Sequence, residues 1–283
     1  MQQTADGGYI LAGVVQYSSE RSDALLVKTS SSGEQTWAKT FGGDSHDQAY
    51  AAQQTTDGGY ILAGRTFSFG NGLSDAWLVK TDSNGKELWD RTFGHSDQDW
   101  AYAVQQTTDG GYILAGVTYP FGAGTSDAWL VKTDSNGKEL WNMTFGGASY
   151  DEALAVQLTP DGGYVLAGVT YPFGAGTSDA WLVKTDSNGN ELWNMTFGGA
   201  SYDEARAVQL TLDGGYVIAG YTQPYGAGNT DAWLVKTDSK GKELWNKTFG
   251  GAGNDAALAV QLTPDGGYIL AGVTLSYLSL IHI

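Results

Sequence analysis

Short runs of alternating small, large and polar residues follow one another along the whole chain, without the 3.6-residue spacing of amphipathic helices. In one unit, the run EALAVQLT at 152–159 ends at a Pro-Asp-Gly-Gly turn. The runs YVLAGVTY at 164–171, DAWLVKT at 179–185 and ELWNMTF at 191–197 follow it, separated by a longer segment and by an Asp-Ser-Asn-Gly turn. This pattern predicts four antiparallel strands joined by tight turns and one longer loop.

The same unit recurs along the chain with a fixed period. The string Asp-Gly-Gly-Tyr begins at Asp6, Asp57, Asp109, Asp161, Asp213 and Asp265. A period of about 50 residues made only of strands is typical of β-propeller blades. We therefore predict an all-β fold of four-stranded antiparallel blades over residues 1–274. The blades fall near 1–46, 47–98, 99–150, 151–202 and 203–254, with a partial blade at 255–274.

Both ends of the chain depart from the repeat. Residues 1–8 align with the middle of a unit, and residues 275–283 replace the loop expected there. The final residues resemble translated sequencing-adapter read-through. We therefore expect the tail to be an artefact and the chain to be a fragment, with roughly five blades' worth of sheet, of a larger propeller. Because the chain opens in the middle of a repeat, we expect an upstream signal peptide or further blades outside this sequence.

The order of the loops distinguishes two faces of the predicted blades. In an up-and-down blade, the turns after strands one and three share one face, and the loops after strands two and four share the other. Tight turns occupy the first face. The Tyr-Pro-Phe-Gly-Ala-Gly loops and the links between blades occupy the second, which we call the long-loop face. Because binding residues concentrate on longer loops of rigid scaffolds, this is the candidate binding face.

Carboxylates and aromatic rings recur together on the long-loop face. The candidate ligand-binding residues are Tyr119, Phe121, Asp127, Tyr171, Phe173 and Asp179. Rings beside carboxylates suit a sugar, and carboxylate oxygens suit calcium. In the alternative interpretation, each Asp caps its own loop by accepting backbone N–H bonds, and each ring packs between blades. The pairs Asp151-Glu152 and Asp203-Glu204 lie on the same face, and the same two interpretations, ligand binding and capping, apply to them.

One position of the inner strand varies between blades. The residue between two alanines is in turn Tyr50, Tyr102, Leu154, Arg206 and Leu258. Strand alternation predicts that it lies on the face opposite the alanines. The two consecutive repeats at 109–160 and 161–212 are nearly identical. They differ only at Ile113/Val165, Lys138/Asn190, Leu154/Arg206 and Pro160/Leu212.

Composition restricts the classes of partner and of chemistry. The formal charge is −16, so nucleic acid and anionic membranes are poor partners. No apolar run approaches the roughly 18 residues of a membrane span, and we predict no membrane insertion. Cysteine is absent, and the three histidines form no metal-ligand or Ser-His-Asp constellation. We predict a non-enzyme with no metal and no cofactor, because near-identical blades also supply near-identical carboxyl environments.

Three Asn-x-Thr patterns lie on equivalent outer strands, at Asn142, Asn194 and Asn246. Such a pattern is the acceptor for N-glycosylation on a surface protein. Copying one blade also multiplies the pattern, so the sequence leaves glycosylation open.

The hairpin between the third and fourth strands reads Asp-Ser-Asn-Gly-Lys-Glu-Leu-Trp at 134–141 and recurs in neighbouring blades. It resembles the docking motif of quinoprotein-like propellers, with one residue fewer between Asp and Gly. The resemblance implies that each indole docks on the adjacent blade, through Trp89, Trp141, Trp193 and Trp245. The quinone cofactor is not implied, because the asymmetric binding floor and vicinal cysteines of many quinoprotein dehydrogenases have no counterpart in this sequence.

The run at 151–163 also resembles the delta-sixty-repeat propellers of bacterial and archaeal secreted and cell-surface proteins. That resemblance implies an extracellular or cell-surface location. We therefore predict a non-catalytic adhesion or recognition module that binds carbohydrate or protein through the long-loop face. The alternatives are a fragment of a propeller enzyme, either glycoside-active or quinone-dependent, and a structural spacer.

Overall fold

In the computed structural model, which describes residues 1–119, 126–171, 178–223 and 229–276, all regular secondary structure is β-strand. Within these ranges no helix is long and apolar enough to cross a membrane. The strands are β1 (Gln2–Gln3), β2 (Tyr9–Gln16), β3 (Ser22–Thr29), β4 (Gln35–Phe41), β5 (Asp47–Gln54), β6 (Tyr60–Thr66), β7 (Asp75–Thr81), β8 (Glu87–Phe93), β9 (Asp99–Gln106), β10 (Tyr112–Thr118), β11 (Asp127–Thr133), β12 (Glu139–Phe145), β13 (Asp151–Leu158), β14 (Tyr164–Thr170), β15 (Asp179–Thr185), β16 (Glu191–Phe197), β17 (Asp203–Leu210), β18 (Tyr216–Thr222), β19 (Asp231–Thr237), β20 (Glu243–Phe249), β21 (Asp255–Leu262) and β22 (Tyr268–Thr274).

Consecutive strands pair into antiparallel sheets. Five sheets of four strands are β1–β4, β5–β8, β9–β12, β13–β16 and β17–β20, and β21 pairs with β22. The fold class predicted from the repeat, four-stranded β-propeller blades, is thus confirmed. In the fourth sheet, each strand begins and ends within one residue of its predicted bounds.

The apolar core lies between consecutive blades within each of two compact units, Met1–Thr144 and Phe145–Ile283. In the first unit, Leu26 and Leu62 of successive blades belong to one buried cluster. In the second unit, Leu182 and Ile218 have the same relation. These consecutive blades therefore pack face to face through apolar side chains of their inner strands.

The indoles of the fourth strands lie against the next blade in the same unit. The ring centroids of Trp89 and Tyr112 are 5.9 Å apart in an edge-on arrangement. A Cβ atom placed on Gly137 would lie 2.6 Å from Cζ3 of Trp89, so only glycine leaves room for the ring. The ring pairs Trp37–Tyr60, Trp193–Tyr216 and Trp245–Tyr268 have the same edge-on arrangement. The stabilising role of these indoles stays a prediction.

A buried lysine supports each tight turn after the first strand. Lys184 is 5% exposed, and its Nζ lies 2.9 Å from Asp161 Oδ2 and donates to the carbonyl oxygen of Thr185 at 2.7 Å. A Cβ on Gly163 would lie 2.7 Å from the same Nζ, which explains the second glycine of Asp-Gly-Gly. The equivalent pairs are Lys28–Asp6, Lys80–Asp57, Lys132–Asp109 and Lys236–Asp213. This ion pair was not predicted from the sequence, although the lysine within the otherwise apolar run DAWLVKT indicates a buried charge.

Candidate binding site on the long-loop face

The variable position of the inner strand is a β-bulge. In the fourth blade, Ala153 pairs with Gly168 and Ala155 pairs with Ala167, so Leu154 is an extra residue without a cross-strand partner. The predicted strict alternation is therefore wrong at this point, because the bulge adds one residue to the inner strand. The extra residues of the five long inner strands are Tyr50, Tyr102, Leu154, Arg206 and Leu258.

A glycine in the second strand makes each bulge possible. A Cβ on Gly168 would lie 1.8 Å from the carbonyl oxygen of Glu152, which no side chain tolerates. The equivalent glycines are Gly64, Gly116, Gly220 and Gly272, each with the same close approach. The recurring Ala-Gly pair in the second strand was the sequence signal for the bulge.

In the first unit, aromatic rings surround Arg65. Its guanidinium carbon lies 4.5 Å from the ring centroid of Trp100, 5.3 Å from that of Phe67 and 5.9 Å from that of Tyr50. The candidate Tyr119 packs against Trp100, with centroids 5.8 Å apart. The rings thus surround the guanidinium of Arg65 through cation–π contacts. Tyr119 packs against this cluster, as the alternative interpretation of the rings proposed.

In the second unit, four tyrosines form a continuous row. Tyr171 packs edge-on against Tyr150 at 5.3 Å and against Tyr202 at 6.1 Å, and its hydroxyl donates to the Tyr202 hydroxyl at 3.0 Å. Tyr202 in turn stacks on Tyr221, with centroids 5.8 Å apart and planes only 8° from parallel. The candidate Tyr171 is therefore the link between two inter-blade junctions.

A buried carboxylate lies behind this row. Glu204 is 4% exposed, accepts a 2.6 Å hydrogen bond from the Tyr221 hydroxyl and forms an ion pair with Arg206, the bulge residue of the same strand. Burial raises the pKa values of Tyr202 and Tyr221 to about 12, so both remain hydrogen-bond donors at neutral pH. Burial opposes the charge of Arg206, but Glu204 and Glu152 outweigh it and raise the pKa of the guanidinium.

An open cleft lies at the end of the tyrosine row. Its volume is about 410 Å³, and its walls are formed by Tyr202, Tyr221, Gln223, Thr230 and Ala256. Aromatic faces, an amide and a hydroxyl therefore meet in one concave place. That volume falls in the range of small-molecule sites, and the cleft is widely open to solvent, as suits one unit of a longer polymer.

The structure places the remaining candidate residues as follows. Phe121 and Phe173 lie outside the described residues. Asp127 and Asp179 begin β11 and β15, where they pair with the last residues of the preceding strands. Burial, with the charge of Asp203, raises the pKa of Asp179. A role of these two carboxylates in ligand binding stays a prediction.

The aspartates that begin the inner strands cap the links between blades. Asp151 Oδ2 accepts a hydrogen bond from the backbone N–H of Gly147 at 2.9 Å, and Asp203 Oδ2 accepts one from Gly199 at 2.9 Å. These contacts match the capping alternative for both carboxylates. Among the described residues, no three His, Cys, Asp or Glu side chains converge to hold a metal ion.

The asparagines of the Asn-x-Thr patterns also take part in hydrogen bonds. Asn142 Oδ1 accepts from the Trp129 indole N–H at 3.3 Å, and its Nδ2 donates to Glu139 at 2.6 Å. Asn194 and Asn246 make the same two contacts. The amide nitrogen that would carry a glycan therefore donates a hydrogen bond to a glutamate of its own strand.

Comparison with known proteins supports the fold and leaves the family open. No family model matches this chain. The chain is similar to the regulatory protein FlaEY of Caulobacter vibrioides, with 28% identity over 174 residues, 53% of this chain and 18% of that protein. The chain thus matches less than a fifth of that relative's length.

Solved structures with a similar fold share little sequence with the chain. The WD40 domain of Neurospora crassa Pan2 gives a TM-score of 0.55 at 13% identity, over 91% of this chain and 70% of that one. A protein of unknown function from Bacteroides caccae gives 0.51 at 13% identity, over 85% and 82%. Together with the sheets described above, these likenesses define a protein of the β-propeller class, built from repeated four-stranded blades. The class does not specify a function.

Proposed function

We propose that the chain is a non-catalytic recognition module that binds a glycan through its long-loop face, outside the cytoplasm. The observation that carries this proposal is the cleft of about 410 Å³ at the end of the tyrosine row. Tyr202 and Tyr221 stack on each other and line the cleft, where their partly exposed ring surface suits the C–H groups of a sugar. Gln223 and Thr230 offer polar atoms to its hydroxyls.

The state of the buried carboxylate favours binding over catalysis. Glu204 is ion-paired with Arg206 and accepts a hydrogen bond from Tyr221. Glycoside hydrolysis needs two carboxyl groups with separate roles, one of them holding a proton for transfer. A carboxylate whose charge is balanced by an arginine is suited to hold its neighbours in place.

The location and the finer class of propeller belong to this proposal. The resemblance of the repeat to delta-sixty-repeat and quinoprotein-like propellers supports an extracellular or cell-surface position. The formal charge of −16 supports a neutral or cationic partner over nucleic acid or anionic lipid. A protein ligand on the same face is the alternative outcome of the test below.

The test is a glycan array combined with a pull-down on cell-surface polysaccharides. We expect the wild type to bind at least one polymeric glycan, and a variant with the cleft residues Tyr202 and Gln223 changed to Ala to bind less. Lys138→Asn, which gives one repeat the residue of the next, is the control and should bind as the wild type does. Absence of binding by the wild type would favour the structural spacer.

A further inference from the structure

The cleft exists because two side chains of the repeat are replaced at one position of the array. One repeat earlier, 52 residues back, Tyr171 stands in place of Gln223 and Glu204 stands in place of Ala256. Tyr171 fills its own junction by packing between Tyr150 and Tyr202. Where glutamine and alanine replace these large side chains, the equivalent space opens as the cleft.

The aromatic wall of the cleft is also specific to this position. Tyr221 stands where the preceding repeat has Val169. Its ring stacks on Tyr202, and its hydroxyl is fixed by the bond to Glu204. Both rings are thus held in place before a ligand arrives, so little conformational entropy is lost when a ligand packs on them.

The charges near the cleft select against anions. Arg206 forms an ion pair with Glu204, and the charge of Glu152 also raises the pKa of its guanidinium. This cation therefore interacts with two carboxylates. The side chains of the cleft wall are tyrosine, glutamine, threonine and alanine, and none of them is charged. A carboxylate on a ligand would thus meet no charged side chain among these wall residues. The nearby cation, Arg206, whose guanidinium carbon lies 5.9 Å from the Tyr221 ring centroid, is already paired with Glu204.

We infer that this cleft binds a neutral hexopyranose unit of a glycan, with its C–H face on the tyrosine rings and its hydroxyls on Gln223 and Thr230. The inference rests on the proposed function and names the ligand class of one of its sites. A uronic acid of the same shape should bind more weakly, because the nearby cation, Arg206, is already paired with Glu204.

Repeat-exchange variants test this inference with little risk to the fold. Ala256→Glu and Gln223→Tyr each fill the cleft with the residue that the preceding repeat carries at the same position. The control is Lys138→Asn, an exchange of the same kind outside the cleft. The probes are glucose, galactose and mannose, with glucuronic acid as the charged counterpart, measured by saturation-transfer NMR and calorimetry.

We expect at least one neutral hexose to bind the wild type and Lys138→Asn equally. Either cleft variant should weaken this binding by at least about tenfold, because the introduced side chain occupies the sugar's space. Glucuronic acid should bind at least about tenfold more weakly than its neutral counterpart, since its charge is desolvated without a partner. If circular dichroism shows that one of the two cleft variants does not fold, the other variant tests the inference.

Two results would overturn the inference. One is hexose binding that is unchanged in the cleft variants, and the other is glucuronic acid binding as tightly as glucose. If the wild type binds array glycans and Ala256→Glu does not alter this, the cleft is not the site although the recognition function stands. If the wild type binds neither array glycans nor hexoses, both proposals are wrong.

Discussion

The contact between Trp193 and Gly241 of consecutive blades can be perturbed from both sides. A Cβ on Gly241 would lie 2.6 Å from Cζ3 of the indole, and the φ angle of this glycine is +78°. Gly241→Ala therefore adds both a steric overlap and an alanine in the left-handed region. Trp193→Ala removes the ring, which also packs against Tyr216 at 5.9 Å. Gly214→Ala is the matched control, because Gly214 has a φ of +81° and nothing within 4 Å of its Cβ position.

The magnitudes follow from the separate physical terms. A left-handed alanine costs about 1–2 kcal/mol, which we expect for both glycine variants. Overlap with the indole adds about 1–3 kcal/mol at Gly241 only. Trp193 is half-buried. Losing about 100 Å² of buried ring surface costs about 2.5 kcal/mol. The edge-on pair with Tyr216 adds about 0.5–1.5 kcal/mol.

In the double variant the overlap disappears, because the ring is no longer present. Trp193→Ala with Gly241→Ala should therefore cost about 1–3 kcal/mol less than the sum of the single changes. Urea unfolding followed by far-UV circular dichroism measures the free energies of unfolding of the wild type and of the four variants. The reasoning is refuted if Gly241→Ala costs no more than Gly214→Ala, or if the two changes are additive within about 0.5 kcal/mol.

Three further predictions concern the charged groups. Asp161→Asn should destabilise the fold more than Lys184→Met in urea unfolding, because it leaves a buried ammonium without its charged partner; the reverse order would contradict this. Burial opposes ionisation of Asp161, but hydrogen bonds from its turn and from Lys184 prevail and lower its pKa from 3.8 to about 2. This stabilisation is present above pH 3.8 and is lost as the pH falls through about 2, so the difference in melting temperature between wild type and Asp161→Asn should shrink on acidification, and a constant difference would count against it. Millimolar calcium should not change the melting temperature of chelator-treated protein, because Asp151 already caps its link; a rise with concentration would instead favour calcium at Asp127 and Asp179.

The strands could be predicted from the sequence because their signals are local. Alternating residues mark each strand, and glycines with positive φ, such as Gly162 and Gly189, mark the turns. Six copies of the unit repeat these signals, so errors at one copy are corrected by the others. The bounds of the strands in the fourth blade consequently differ from prediction by at most one residue.

The candidate site was less predictable because its geometry depends on distant pairs. The bulge at Leu154 is visible only when the inner strand is aligned with Gly168 across the sheet. The row from Tyr171 to Tyr202 joins residues 31 positions apart, the second of them in the link to the next blade. The cleft arises from small residues at positions where another repeat carries large ones. Residue types alone favoured the loop rings, whereas the described pocket lies at the end of the tyrosine row.

At most strand positions, one residue both maintains the pairing register and carries a side chain that packs or binds. At the bulge these two roles belong to different residues. Leu154 has no cross-strand partner, so its side chain can change without disturbing the register that the flanking alanines maintain. When the unit was copied, the inner strand acquired only one difference, Arg206 at the place of Leu154. That single exchange supplied the cation for Glu204. A duplicated blade can thus gain new surface chemistry by one codon while inheriting its fold intact.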